Sequence, residues 1–276
     1  MRDPRHAAAL IACVALTAVA LAALATPSVA QDGPGIVVER VRLPRAPEVD
    51  VGDRIATIVR VDLRRYAFRF LTESTDGPRR TLPAWVRDFR LAGGINAGMF
   101  LPSGRSCGYL RARGEVRSDR RPPGWDAVIG FDPSAGGAPF ALGGAGCGRD
   151  LEGMRSAFGS VLQGRKMLVD CAGRATTTWR TNRFSSALLG VDREGRAVLV
   201  HTRTPYRMQV LAPMLADPAL GIRGLAYMEG GPEASVMVQA EGQRVAEMGS
   251  YEDGFWPRDD NHEFWDLPNV VGFAPR

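Results

Sequence analysis

Apolar and polar positions along most of the chain repeat with period two, a spacing that predicts many strands and few helices. The first regular stretch, Gly35-Ile36-Val37-Val38-Glu39-Arg40-Val41, follows a short polar and glycine linker and reads as a strand. From Arg54 to Leu71, Ile55, Thr57, Val59, Val61 and Leu63 alternate with Arg60, Asp62 and Arg64 and are continued by Tyr66, Phe68 and Phe70. That pattern predicts a half-buried strand with one wet face. More strands are expected around Ile95-Asn96, over Lys166-Met167-Leu168-Val169-Asp170, after Arg183, from Arg196 to His201, and through Leu225-Ala226-Tyr227-Met228. Thr81 as a cap and Pro83 early in the turn predict a short helix up to Phe89. Leu151, Met154, Phe158 and Leu162 share one helical face and predict a second helix from Asp150 to Leu162, with a third from about Tyr206 to Leu215. The stretches Arg120-Arg121-Pro122-Pro123-Gly124 and Pro133-Ser134-Ala135-Gly136-Gly137 read as loops. Strands outnumber helices and do not alternate regularly with them. The expectation is a single α+β domain built on a large mixed, mainly antiparallel sheet with a few short helices.

The N-terminus changes where that domain begins. Arg2 and Arg5 precede an uncharged run from Ala7 to Ala25, and Ser28-Val29-Ala30 stands before Gln31. This is the layout of an export signal over residues 1–30, cut after Ala30 or, earlier, after Ala25. The run also approaches the ~20 residues that span a bilayer, so an uncleaved anchor is the alternative. An exported protein, periplasmic or secreted and without a membrane span after cleavage, is expected. Residues 31–52 would form a linker and first strand, and residues 53–276 the domain.

Composition narrows the partners. A chain of 276 residues, 45% hydrophobic, can bury one full core. Of its 35 basic residues only Lys166 is a lysine, and the net charge of +5 is scattered without a basic stripe, which argues against nucleic acid. Cys107, Cys147 and Cys171 remain after signal removal, enough for one disulfide and one thiol. Cys147 with Cys171 is the favoured pair because both flank the 150–162 segment; Cys107 with Cys147 is the other choice. No Cys-x-x-Cys spacing occurs and only His201 and His262 survive in the mature chain, so a zinc site is not expected.

Candidate chemistry gathers in three stretches. The run Leu225-Ala226-Tyr227-Met228 ends abruptly in Glu229-Gly230-Gly231-Pro232-Glu233-Ala234-Ser235. A strand holds its last residue rigidly, and glycines let the backbone turn and a ligand approach. Upstream, Gly93-Gly94-Ile95-Asn96-Ala97-Gly98-Met99-Phe100 is a second glycine-flanked strand with a polar end. Between them, Asn182-Arg183-Phe184-Ser185-Ser186-Ala187-Leu188-Leu189-Gly190-Val191-Asp192 sets an arginine before a strand that closes in an Asp-x-x-Gly turn.

Taken in order, these stretches resemble the phosphodiester glycosidase domain family, which includes the mannose 6-phosphate uncovering enzyme. The resemblance runs from about Asp53 to Leu267-Pro268-Asn269-Val270-Val271-Gly272-Phe273. It implies an exported hydrolase acting on a sugar-1-phosphodiester or a related glycosidic bond of cell-envelope or extracellular glycans, with a carbohydrate or sugar-phosphate substrate. By the same likeness, Asn96, Arg183 and Glu229 would be catalytic, and Gly98, Gly230, Gly231, Ser235 and Glu233 would contact substrate. Arg183 suits the phosphate because guanidinium stays charged and donates in a planar fork. A carboxylate suits the water or the oxocarbenium-like carbon. Glu229 stands where the family has Asp. The extra methylene moves the carboxylate by roughly 1.5 Å, and displacements of about 1 Å can cost ~100-fold in rate. A shifted substrate, a different leaving group, a weakened enzyme or a non-catalytic carbohydrate-binding relative would each account for the change.

His201, inside a predicted strand, reads as packed rather than catalytic, and no Gly-x-Ser-x-Gly elbow frames Ser185 or Ser186. Tyr251 to Asp266 mixes Phe255, Trp256, Phe264 and Trp265 with Asp253, Asp259, Asp260, Glu263 and Asp266. It reads equally as a substrate rim or as cover for the core. No cofactor is expected, although the carboxylates of this loop are of the kind that bind calcium.

Overall fold

Strands that are apolar on both sides must be covered on both faces, and the central strands here are of that kind. The computed structural model describes residues 33–176 and 182–276; residues 1–30, expected to be an export signal, lie outside them. The first sheet has the order β1 (Ile36–Arg42), β2 (Ile55–Val61), β13 (Ala197–Tyr206), β12 (Phe184–Asp192), β14 (Ile222–Gly230), β11 (Met167–Val169). Alternate residues enter two different cores: Ala197, Leu199, Ala187 and Leu189 face one, while Val198, Val200 and Leu188 face the other.

Two five-stranded sheets complete the domain. One runs β7 (Glu115–Ser118), β6 (Leu110–Ala112), β10 (Phe158–Gly164), β8 (Ala127–Pro133), β9 (Phe140–Gly144). The other runs β16 (Gln243–Met248), β15 (Ser235–Ala240), β5 (Gly93–Asn96), β18 (Asn269–Pro275), β3 (Tyr66–Thr72). A small pair joins β4 (Arg80–Thr81) to β17 (Asp266–Leu267). The class is therefore α+β, with mostly antiparallel strands and few short helices. Its strands are shared among three sheets, since twisted sheets of many strands split and pack on one another.

The inner faces of all three sheets meet in one core. A file of aromatic rings crosses it, Tyr66 to Phe273 to Phe68 to Phe140 to Phe131 to Phe70, with each neighbouring pair of centroids 5.5–5.7 Å apart. Three helices cover outer faces. α2 (Leu82–Asp88) is capped by Thr81, whose hydroxyl accepts from the Ala84 amide, and its buried Trp85 donates to the Leu267 carbonyl at 3.0 Å. α3 (Leu151–Ala157) buries Met154 with Phe158 and Val161, and α4 (Met208–Leu215) sets Leu211 and Leu215 in the second core of the first sheet. A single turn, α1 (Glu73–Asp76), follows β3.

Two expectations are corrected. The Arg54–Leu71 pattern is not one strand with a wet face. It breaks at Asp62, whose carboxylate accepts from the Arg64 amide, and continues into a different sheet as β3. Arg60 is buried, pairing with Asp192 at 3.2 Å and Glu39 at 3.1 Å and donating to the Leu220 carbonyl at 2.7 Å. Helix also stops at Ala157 rather than Leu162. From Phe158 the chain pairs with β8 at six positions, and this pairing overrides the helical spacing.

The Cys147–Cys171 disulfide ties the loop after β9 to the turn after β11, leaving Cys107 as a thiol. It closes a separation of 24 residues, which in the chain-entropy model stabilises by about 3 kcal/mol. Cys171→Ser should lower Tm by roughly 6–12 °C in thermal melts, and dithiothreitol should lower the wild type's Tm by a similar amount while leaving the variant's unchanged.

Candidate active site

β14 delivers Glu229 through a local irregularity. Leu188 pairs with Tyr227 and Ala187 with Glu229, so Met228 is left without a partner across the ladder. Such a bulge re-aims the next side chain. Glu229 is half-buried as a residue, and protein surrounds its carboxyl group. Its Oε1 accepts from the Gly230 amide at 3.1 Å.

The two glycines that follow are required by space. A Cβ on Gly230 would lie 2.6 Å from the Phe184 ring and 2.7 Å from the Tyr227 hydroxyl. Gly231 has φ of +67°, and a Cβ there would lie 2.5 Å from Oε2 of Glu252 and 3.5 Å from Oε2 of Glu233. Two carboxyl groups thus converge on the glycine step. Gly231–Glu233 forms a 3-10 turn leading into β15. Asn96, buried at the end of β5, fixes that turn: its Oδ1 accepts from the Ser235 amide at 3.0 Å, while the Ser235 hydroxyl donates to the Glu233 carbonyl at 3.2 Å.

Glu252 arrives from a later loop. Its backbone bridges Phe184 and exchanges two hydrogen bonds of 2.9 Å with Trp256. The surroundings of all three acids favour their protonated forms. Burial first and the Glu233 charge second push Glu229 well above the usual carboxylate range, opposed by the Gly230 amide and by Arg165. Burial, with a smaller push from Glu252, takes Glu233 up to about 7. Burial also raises Glu252, against the pull of Arg165. The same field reaches the Tyr227 hydroxyl and the Cys107 thiol, both raised by burial and then by Glu229. Among the described residues, no group of three His, Cys, Asp or Glu side chains is arranged to hold a metal ion.

The predicted residues divide. Glu229, Gly230, Gly231 and Glu233 share this step, and Asn96 and Ser235 hold it from beneath. Gly98, with φ of +75°, packs on Leu162 just before Met99, whose carbonyl accepts from the Cys107 amide. Arg183 turns to Asp253 instead, in a two-point pair of 2.9 and 3.0 Å that Tyr251 joins through its hydroxyl. It braces the segment beside Glu252, and the cation that acts on the acids is Arg165. The charge pattern of the 251–266 stretch could have drawn attention to Glu252; nothing in the sequence marks Arg165. His201 is buried with its ring pushed down to about 4 by burial, and the Ser185 hydroxyl donates to the Arg203 carbonyl at 2.6 Å, so neither reads as a catalyst.

No protein-family model matches the sequence, and no curated protein sequence matches it. Solved structures do. The chain has a distant structural relative in the zebrafish N-acetylglucosamine-1-phosphodiester alpha-N-acetylglucosaminidase catalytic domain, auto-inhibited by its pro-peptide. The match has a TM-score of 0.58 at 15% identity and covers 89% of this chain and 85% of that one. A hypothetical protein from Synechocystis matches with a TM-score of 0.57 at 15% identity, over 88% of this chain and 62% of the other. At these identities the likeness is one of fold.

Gly231→Ala should be a damaging substitution. It places a methyl against Glu252 in a backbone conformation that disfavours L side chains. A loss of about 1–3 kcal/mol in denaturant unfolding is expected, whereas Gly242→Ala, also at positive φ but in open space, should lose less.

Proposed function

We propose that the protein is an exported hydrolase that cleaves a sugar-1-phosphodiester, or a related glycosidic bond, in cell-envelope or extracellular glycans. The observation that carries this is the placement of the Glu233 and Glu252 carboxyl groups on the glycine step that directly follows Glu229 at the end of β14, in a fold shared with a phosphodiester glycosidase catalytic domain, with the Arg165 charge pulling against the raised Glu229 and Glu252. Supporting export, the chain forms a disulfide, and no helix among the described residues is long and apolar enough to cross a membrane.

In this reaction water replaces a phosphate at the anomeric carbon. Positive charge grows on the sugar ring and negative charge on the departing oxygen. Three carboxyl groups in one cleft do not all ionise together, and unequal proton affinities divide acid from base. Glu229, whose surroundings most strongly favour the proton, donates it to the leaving phosphate oxygen. An ionised Glu252 takes the proton of the attacking water and steadies the cationic ring. Arg165 offsets the phosphate charge. Asn96 acts through Ser235 and Arg183 through Asp253, each holding an acid-bearing segment in place. Gly230 and Gly231 let the chain turn tightly enough to bring the acids of that turn against Glu229, and Gly98 lets β5 end against Leu162.

Purified protein should release N-acetylglucosamine from a model N-acetylglucosamine-1-phosphodiester. Glu229→Gln should cut kcat by ~100-fold or more with an unchanged circular dichroism spectrum. Sugar binding without turnover in the wild type would instead make the protein a carbohydrate-binding relative.

The pH profile tests the electrostatics. Glu233 loses its proton as pH rises through about 7, which adds negative charge beside an anionic substrate. KM should therefore climb above that pH in the wild type, and Glu233→Gln, neutral throughout, should flatten the climb.

A further inference from the structure

The loop that carries Glu252 also carries a group of rings with an outward face. Phe255 is 56% exposed, and Val116, the other large apolar side chain so exposed among the described residues, stands elsewhere on β7. Phe255 meets Trp265 edge to face at 6.1 Å, and Trp265 meets Trp256 edge to face at 5.5 Å. The Arg258 guanidinium lies 4.2 Å from the Trp256 ring.

The polar handles of these rings are engaged within the protein. Trp256 donates its indole N–H to Asp260 at 2.9 Å, and Trp265 donates to Asn261 at 3.2 Å. Asn261 is itself buried, its amide donating to the Gly249 carbonyl at 2.7 Å. Arg203 fastens the loop further through Asp259 and the Asn261 carbonyl. What the rings turn outward is carbon surface, held rigidly and bordered by the exposed Arg258, Asp259, Asp260, Glu263 and Asp266.

We propose that this cluster is a subsite for a pyranose ring, the sugar on the far side of the scissile phosphate. A pyranose offers one face of C–H groups to an aromatic ring and a rim of hydroxyls to charged neighbours, which matches the order of surfaces here. The patch is too small for a protein partner, because a specific protein interface covers about 800 Å² per side and only one ring is strongly exposed. Continuity supports its place on the substrate: the two backbone hydrogen bonds between Glu252 and Trp256 tie the ring cluster to the segment that carries one of the site's acids. That placement rests on the hydrolase reading; the binding of sugar does not.

Tryptophan emission of the full chain, titrated with chitotetraose and with maltotetraose, tests the proposal. At least one sugar should shift the emission saturably. Phe255→Ala, an exposed position, should weaken that binding about 5- to 10-fold with an unchanged Tm, and Phe255→Trp should restore it. No shift with either sugar, or unaltered affinity in Phe255→Ala, overturns the subsite. A saturable shift in a protein that leaves the model phosphodiester intact would sink the hydrolase reading alone.

Discussion

Face-to-face packing of three sheets on one interior is the constraint from which the rest follows. The aromatic file from Tyr66 to Phe70 draws rings from β3 and β18 of one sheet and from β8 and β9 of another. Rings interlocked in this way fix the separation of the layers, because a close-packed interior transmits strain instead of absorbing it. The glycine step after Glu229 is where the chain leaves the first sheet for the third. The acids therefore sit on a seam between layers, and their spacing is inherited from the packing of whole sheets.

That seam concentrates charge where charge is costly. Glu229, Glu233 and Glu252 all hold protons more tightly than free carboxyls do, and burial is the first cause in each case. For Glu233 the sign is clear. Its folded value of about 7 lies above the ordinary 4.5, so the stability linked to its proton is fully present below the ordinary value and is lost as pH rises through the folded one. Asn96, Ser235 and the Arg183–Asp253 pair supply the fixed hydrogen bonds that keep such a strained group of acids in position.

Much of the fold could be read from the sequence. Period-two patterns located several of the strands, and Thr81 with Pro83 located α2. What escaped was tertiary. Arg60 looked like the wet side of a strand because a sequence does not show that Asp192 and Glu39 will surround it. Leu162 sat at helical spacing, yet a paired strand claimed it. In the cleft, the Glu-Gly-Gly-Pro-Glu step was legible because steric need for glycine leaves a mark. Arg165 was not, since it arrives from a distant loop, and Glu252 showed only as one charge among those of the 251–266 stretch. Arg183 had the right chemistry for an anion, but Asp253 lies within its reach and takes donors from its Nε and Nη2.

The Asp-x-x-Gly turn after β12 separates two kinds of information within one motif. The Asp192 carboxylate accepts from the Glu194 and Arg196 amides and pairs with the Arg196 guanidinium at 2.7 Å. Asp170-Cys171-Ala172-Gly173-Arg174 repeats the build, with Asp170 accepting from the Ala172 and Arg174 amides and pairing with the Arg174 side chain at 2.9 Å. The same five-residue knot thus closes two strands of one sheet, β12 and β11, on either side of β14, one inside the recognisable motif and one outside it. A signature of this sort records how a chain reverses direction. A descendant stripped of every cleft acid would keep it, because the architecture alone demands it.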